Sequence, residues 1–75
     1  MTDEDFETTC ERITKLYRSE GVDQAVVERD RINAKLAPGY RLAFQGQKGG
    51  KMLGFTLHDL NTGETVKQTT KMWIS

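Results

Sequence analysis

The spacing of the apolar residues changes at Pro38-Gly39, and this change limits what the chain can fold into more than any other feature. Before the Pro-Gly pair, apolar side chains recur every three or four residues, which is the period of an amphipathic helix. After the pair, apolar and polar side chains alternate, which is the period of a strand. The sequence therefore predicts helices in its first half and strands in its second.

The first predicted helix carries one clear apolar stripe. Its members are Phe6, Cys10, Ile13 and Tyr17. Thr2 or Asp3 caps the first turn, because short polar side chains accept hydrogen bonds from the free N–H groups of that turn. Gly21 ends the helix, because glycine adopts at little cost the positive φ that follows many helices.

The second predicted helix starts at Asp23, its N-cap, and runs to about Leu36. Pro38 stops it, because proline has no N–H to donate and pushes the preceding residue out of the helical region. Arg29 and Asn33 interrupt its apolar stripe. The residues predicted to face water are Gln24, Glu28, Arg31 and Lys35.

Three antiparallel strands are predicted after the Pro-Gly pair, and they run over residues 40–45, 52–58 and 65–74. Both helices must bury their apolar stripes, and one face of a three-stranded sheet provides the surface. We therefore predict an α+β fold with two layers and the order ααβββ. In this fold, two N-terminal helices pack on one face of a three-stranded antiparallel β-meander.

The hairpin between the second and third strands has two alternative registers. A four-residue loop from Leu60 to Gly63 is favoured by its turn-forming Asn and Gly. Its pairs are Asp59 with Glu64, Leu57 with Val66 and Leu53 with Thr70. A three-residue loop with a bulge would set Leu57 against Lys67 and mix the two faces. We choose the four-residue loop, which turns apolar residues toward the helices: Val66, Met72 and Ile74.

The length of 75 residues is enough for one domain, and we expect residues 1–75 to form it. A chain of about this size buries only about 60% of the surface that its unfolded form exposes, so its stability is expected to be small. The single cysteine cannot form a disulfide within the chain. A homo-oligomer is therefore one way in which the chain could bury more surface.

We predict no catalytic, cofactor or metal site. The only histidine, His58, stands beside Asp59, but adjacent strand residues point to opposite faces and cannot form a catalytic pair. Cys10 lies on the apolar stripe and is expected to pack in the core. The glycine-rich residues 46–51 lack the Walker A spacing and precede a strand instead of a helix. The chain is therefore expected not to be an enzyme.

The sequence also predicts a cytoplasmic protein without a membrane segment. It has one lone thiol, no N-terminal leader, and no apolar run approaching the 18 or so residues of a membrane-spanning helix. Its net charge is zero, so a general basic excess for nucleic acid is absent. The charges are nevertheless unevenly distributed, with a balance of −3 over residues 1–37 (9 acidic, 6 basic) and +3 over residues 38–75 (2 acidic, 5 basic).

Two docking surfaces follow from this distribution. The first is the outer face of the sheet with its nearby loop, and its residues are Arg41, Lys48, Lys51, Met52, Thr56, His58, Lys67, Lys71 and Trp73. Trp, Met and Arg are enriched at protein interfaces, and an aromatic residue among lysines also suits single-stranded nucleic acid. The second is the acidic face of the first helix, and its residues are Asp3, Glu4, Asp5, Glu7 and Glu11.

Each surface also has a purely structural interpretation. Lys67 and Lys71 could protect an edge strand, and Trp73 could fold over the edge of the sheet. The acids of the first helix could simply compensate the positive end of its dipole.

On balance we expect a small protein-binding regulator or inhibitor that docks on a macromolecule, since no chemistry is encoded and the chain has little room for a pocket. Chains of this kind are often encoded by phages or other mobile elements, and we expect such an origin on that frequency alone. The alternative is a nucleic-acid-binding module that uses the basic sheet face, with an affinity that falls steeply with salt. An enzyme would need a homo-oligomer to assemble a site across its interface.

Overall fold

The computed structural model describes residues 1–46 and 51–73, and it confirms the predicted two-layer ααβββ fold. Two helices come first, α1 (Asp3–Glu20) and α2 (Val22–Lys35). Three strands follow, β1 (Tyr40–Gly46), β2 (Met52–Asp59) and β3 (Thr65–Met72), and they form one antiparallel sheet with β2 in the middle.

Thr2 and Gly21 cap the two ends of α1, and Gly21 alone separates the two helices. At the start of α1, the Thr2 hydroxyl accepts a hydrogen bond from the Asp5 N–H at 3.1 Å, which confirms Thr2 as the N-cap. Gly21 ends α1 with a φ of 96° and is also the N-cap of α2. The prediction that Asp23 caps α2 is wrong, because the conformation of Gly21 reverses the chain at once and Val22 is already helical. Asp23 lies instead in the first turn, where its charge suits the helix dipole.

The core lies between the helices and one face of the sheet. Its buried members are Phe6, Cys10, Ile13, Ala25, Leu42, Leu53, Phe55 and Leu57. Phe55 of β2 lies opposite Phe44 of β1, with their ring centroids 6.0 Å apart. Cys10 is fully buried, as the apolar stripe of α1 predicts.

The β2–β3 hairpin has the predicted loop. The Asp59 N–H donates to the Glu64 carbonyl at 2.8 Å, and the Gly63 N–H donates to the Asp59 carbonyl at 2.7 Å. Gly63 has a φ of 77°, which glycine adopts without a steric penalty. The four-residue loop and the pairing of Asp59 with Glu64 are therefore confirmed.

Beyond the loop the register differs from the prediction. His58 lies opposite Thr65 and Leu57 lies opposite Lys67, so Val66 is the extra residue of a β-bulge. The predicted pairs that this bulge replaces are Leu57 with Val66 and Leu53 with Thr70. Both predicted pairs are wrong, and a shift of one residue moves every later side chain of β3 to the other face of the sheet.

The inverted face of β3 is visible in the exposure of its side chains. Val66 and Met72, which were predicted to face the helices, are 50% and 73% exposed. Lys67, Thr69 and Lys71 point toward α1 instead. Ile74, the third residue predicted to face the helices, lies outside the described residues. The shift lets Lys67 and Lys71 form ion pairs with acids of α1, and these ion pairs favour the observed face of β3.

Two polar residues of α2 are buried at contacts between elements. The side-chain amide of Asn33 donates to the Leu42 carbonyl at 3.0 Å and accepts from the Leu42 N–H at 2.7 Å. Glu28 was predicted to face water, but it packs between the helices with its side chain 8% exposed. Arg12 Nε lies 3.2 Å from Glu28 Oε2, within ionic reach but not aligned for a hydrogen bond. A charge from α1 therefore compensates the burial of Glu28.

Candidate docking surfaces

The lysines and the tryptophan predicted on the outer face of the sheet lie on its helix side. Lys67 Nζ binds the carboxylate of Asp3. Lys71 Nζ binds the carboxylate of Glu7 and lies 3.8 Å from an oxygen of Glu11. We call these five residues the α1–β3 seam. Their placement contradicts the predicted outer position of Lys67 and Lys71, and its cause is the bulge.

Trp73 also lies on the helix side and is partly buried. Its ring centroid is 6.1 Å from that of Tyr17, and the guanidinium carbon of Arg18 lies 5.3 Å from the Trp73 centroid. A cation over an indole ring is attracted to the negative face of the ring. Trp73 therefore joins β3 to α1, and its predicted position on an exposed basic face is wrong.

The α1–β3 seam also changes the acidic surface. Asp3, Glu7 and Glu11 belong to the seam, whereas Glu4 and Asp5 stay exposed. The hydrogen bond from Lys67 holds the pKa of the Asp3 carboxyl below its usual value. Part of the predicted basic surface is thus ion-paired with part of the predicted acidic surface within the molecule.

Lys71→Met is expected to remove part of the stability loss at high pH. The hydrogen bond to Glu7 raises the pKa of Lys71 above its ordinary 10.5. A raised pKa contributes stability that is complete below the unfolded value and is lost as the pH rises through the folded value. The free energy of unfolding of the wild type, measured by urea denaturation, should therefore fall faster than that of Lys71→Met above about pH 10.5, by at most about 1 kcal/mol after solvent screening.

The control for this experiment is Lys15→Met, which removes an exposed lysine from α1. The free energy of unfolding of Lys15→Met should fall above about pH 10.5 in the same way as that of the wild type. Identical pH profiles for the wild type and Lys71→Met would show that the seam does not stabilise the fold.

The outer face of the sheet is left open by the helices. Residues of the three strands that alternate with the buried ones form it, and they are Arg41, Ala43, Gln45, Met52, Gly54, Thr56, His58, Thr65, Gln68, Thr70 and Met72. Of the predicted sheet-face residues, Arg41, Met52, Thr56 and His58 lie here. Within the described ranges, Arg41 is the only Arg, Lys, Asp or Glu on this face.

Two predicted residues belong to the connection before β2. The carbonyl of Lys51 accepts a hydrogen bond from the Trp73 N–H at 3.1 Å, which places Lys51 at the end of the sheet. Lys48 lies outside the described residues. The predicted basic face is therefore not assembled from these residues, and the open surface of the sheet is largely uncharged.

His58 and Asp59 have separate partners. Thr56 Oγ1 lies 2.9 Å from His58 Nε2, and Thr65 Oγ1 lies 3.4 Å from His58 Nδ1, so two hydroxyl groups hold the imidazole on the outer face. The Asp59 carboxylate accepts from the Asn61 N–H at 2.9 Å and supports the hairpin loop. The two side chains show no contact that would make them a catalytic pair.

The thiol of Cys10 is also poorly suited to chemistry. Burial, with a further contribution from Glu7, raises its pKa to about 12. The thiolate is the nucleophilic form, so this cysteine stays protonated and unreactive near neutral pH. Within residues 1–46 and 51–73, no group of three or more His, Cys, Asp or Glu side chains is close enough to hold a metal ion.

Each edge of the sheet has a feature that opposes the addition of a strand. The outward N–H and C=O groups of Leu42 on β1 are bonded to Asn33. On β3, the bulge at Val66 and the inward-pointing Lys67 and Lys71 act as the usual protection of an edge strand. A partner that adds a strand to an edge would have to displace these contacts. Docking on the open outer face displaces none of these contacts, so it is favoured over the addition of a strand to an edge.

The search for related proteins finds no family model, no curated protein and no solved structure that matches this chain. None of the helices in the described part of the chain is long and apolar enough to span a membrane.

Proposed function

We propose that this chain is a small, non-enzymatic regulator or inhibitor that docks on a protein partner through the outer face of its sheet. The observation that carries the proposal is the open and nearly uncharged character of that face. Met72 is 73% exposed there, beside a partly buried Met52, and Arg41 is the one Lys or Arg on this face within residues 1–46 and 51–73. Methionine and arginine are enriched at protein interfaces, whose centres are depleted of charge.

A protein partner is favoured over nucleic acid by the position of the lysines. Lys67 and Lys71 are ion-paired in the α1–β3 seam. A nucleic-acid-binding surface neutralises several phosphates at once, whereas the part of the outer face that the structure describes offers one guanidinium, from Arg41. The same ion pairs argue against the acidic face of α1 as the docking surface, because Asp3 and Glu7 are ion-paired within the molecule.

Two further expectations from the sequence belong to this proposal. A cytoplasmic location is supported by the lone thiol of Cys10, which has no second cysteine to pair with. A phage or mobile-element origin rests on the frequency of small inhibitory chains in such genomes.

The test is affinity capture with matched surface variants. The full chain is immobilised and exposed to a nuclease-treated lysate of the cells that produce it. A stoichiometric protein should be recovered by the wild type and lost at least tenfold with Met72→Glu. Val27→Glu is the control, because it places the same charge on an apolar side chain that is 59% exposed on α2.

Urea denaturation of both variants should show that each is as stable as the wild type within about 0.5 kcal/mol. Capture that survives Met72→Glu but is lost with Val27→Glu would place the docking surface on the helices. Capture that disappears with nuclease treatment would favour the nucleic-acid alternative.

A further inference from the structure

Gly54 lies at the centre of the outer face, on the middle strand of the sheet. Its cross-strand neighbours are Gln45 of β1 and Thr70 of β3. A glycine weakens a strand interior, because it loses more conformational freedom on folding and has no side chain to pack. A glycine in such a position therefore has to be explained either by the fold or by something that contacts it.

The fold does not require a glycine at this position. The glycines with positive φ in the described residues are Gly21, Gly39 and Gly63, and Gly54 is not among them. The β-bulge lies elsewhere, between Leu57 and His58. A Cβ built on Gly54 would meet one described heavy atom within 4 Å, the Gln45 carbonyl oxygen at 3.9 Å, which is an ordinary contact. A β-carbon would therefore fit at this position without displacing anything described.

A strand glycine is commonly covered by an aromatic side chain on a neighbouring strand. Neither cross-strand neighbour of Gly54 is aromatic, and the outer face has no Phe, Tyr or Trp in the described ranges. Its one imidazole, His58, is four residues along the same strand and is held by two threonine hydroxyls. Phe44 and Phe55 belong to the opposite, helix-facing side of the sheet. The backbone of Gly54 is therefore partly exposed, and no Phe, Tyr or Trp of the described outer face covers it. This face is the one that we propose as a docking surface.

We infer that an aromatic ring supplied by the protein partner packs on the backbone of Gly54. This inference rests on the proposed function and names the chemistry of the partner. Amide and hydroxyl side chains surround this position, and they belong to Gln45, Thr56, Gln68 and Thr70. These groups suit the polar edge of a tyrosine or tryptophan, whose rings are frequent anchors at interfaces. Arg41 is the only described cation on this face, so a carboxylate on the partner would complement it.

A second copy of this chain does not fit as the occupant. Its own outer face has no Phe, Tyr or Trp among the described residues, so two-fold pairing through that face would leave both glycines uncovered.

The inference is tested on the full chain by NMR, with N-acetyl-tyrosinamide as the probe and N-acetyl-leucinamide at equal concentration as the comparison. The tyrosine probe should shift the amide resonances of Ala43, Gly54 and Thr70 in a saturable way. The leucine probe should shift them at least fivefold less. Gly54→Val should abolish the tyrosine-dependent shifts and leave the melting temperature equal to or above that of the wild type.

Thr8→Val, which adds the same β-branched side chain at an exposed position of α1, is the control and should retain the shifts. Equal shifts from the two probes, shifts centred on the helices, or shifts that persist in Gly54→Val would overturn the inference. The outcome is separable from the proposed function. Probe binding at Gly54 with a protein capture that is indifferent to Met72→Glu would refute only the docking proposal.

Discussion

Phe55→Ala is expected to leave most of the chain unfolded in buffer without denaturant. Phe55 is 1% exposed and is among the largest fully buried side chains. Its removal is expected to cost about 3–5 kcal/mol, from lost apolar burial and from the cavity left beside Phe44. A domain of this size has a total stability of only a few kcal/mol, since it buries only about 60% of the surface that its unfolded form exposes and has no disulfide within the chain. The loss is therefore comparable to the whole free energy of unfolding.

Circular dichroism and the fluorescence of Trp73 measure this effect, because Trp73 packs on Tyr17 only in the folded chain. Phe55→Ala should show reduced helical signal and a red-shifted emission at zero urea. Met72→Ala is the control, because its side chain is 73% exposed and should change stability by less than about 0.5 kcal/mol. A cooperative urea transition for Phe55→Ala near that of the wild type would contradict the assigned core.

The elements of the fold were predictable because their signals are local. Pro38-Gly39 separates the two apolar periods, and the structure ends α2 at Lys35 and begins β1 at Tyr40. The cap at Thr2 and the hairpin loop that ends at Gly63 likewise depend on a few neighbouring residues. Once two amphipathic helices precede a three-stranded sheet, the two-layer arrangement is the simplest way to bury both apolar stripes.

The face of β3 was not predictable from the same patterns. A strand with alternating side chains presents either set to the core, and the bulge at Val66 decides which set it is. The prediction matched apolar residues within the hairpin. It did not include the attraction between Lys71 and Glu7, which are far apart in the sequence. The predicted basic face failed for this reason, although its four residues on β1 and β2 are correctly placed.

Three residues have roles that became clear only with the tertiary structure. Glu28 is compensated by an arginine of the other helix, and Asn33 is paired with a strand backbone. Arg12 and Leu42 belong to other elements of the fold, so the periodicity of α2 alone made Asn33 an exception and Glu28 a surface position. Gly54 did carry a local signal, because a glycine inside a strand often marks a close approach by another group. That signal indicates a contact with a partner only once the structure places Gly54 on the open outer face.

Asn33→Ala is expected to destabilise the fold by about 2–3 kcal/mol, the second large effect in this protein. The substitution leaves the N–H and C=O groups of Leu42 without the side-chain amide that binds both of them. Each lost partner of a partly buried polar group costs about 1–3 kcal/mol, and water at the edge of the sheet recovers some of it. The helix itself should tolerate the change, because alanine is the best helix former.

Urea denaturation measures the stability change, and Gln24→Ala in the exposed first turns of the same helix is the matched control with an expected effect near zero. Sedimentation supplies a second readout, because Asn33→Ala exposes the edge of β1 to strand addition. The variant should form larger species than the wild type at equal concentration, whereas Gln24→Ala should not. Unchanged stability and unchanged sedimentation together would show that Asn33 does not close this edge. Docking by strand addition at β1 would then compete with docking on the outer face, and the choice between them would depend on whether Met72→Glu still abolishes capture.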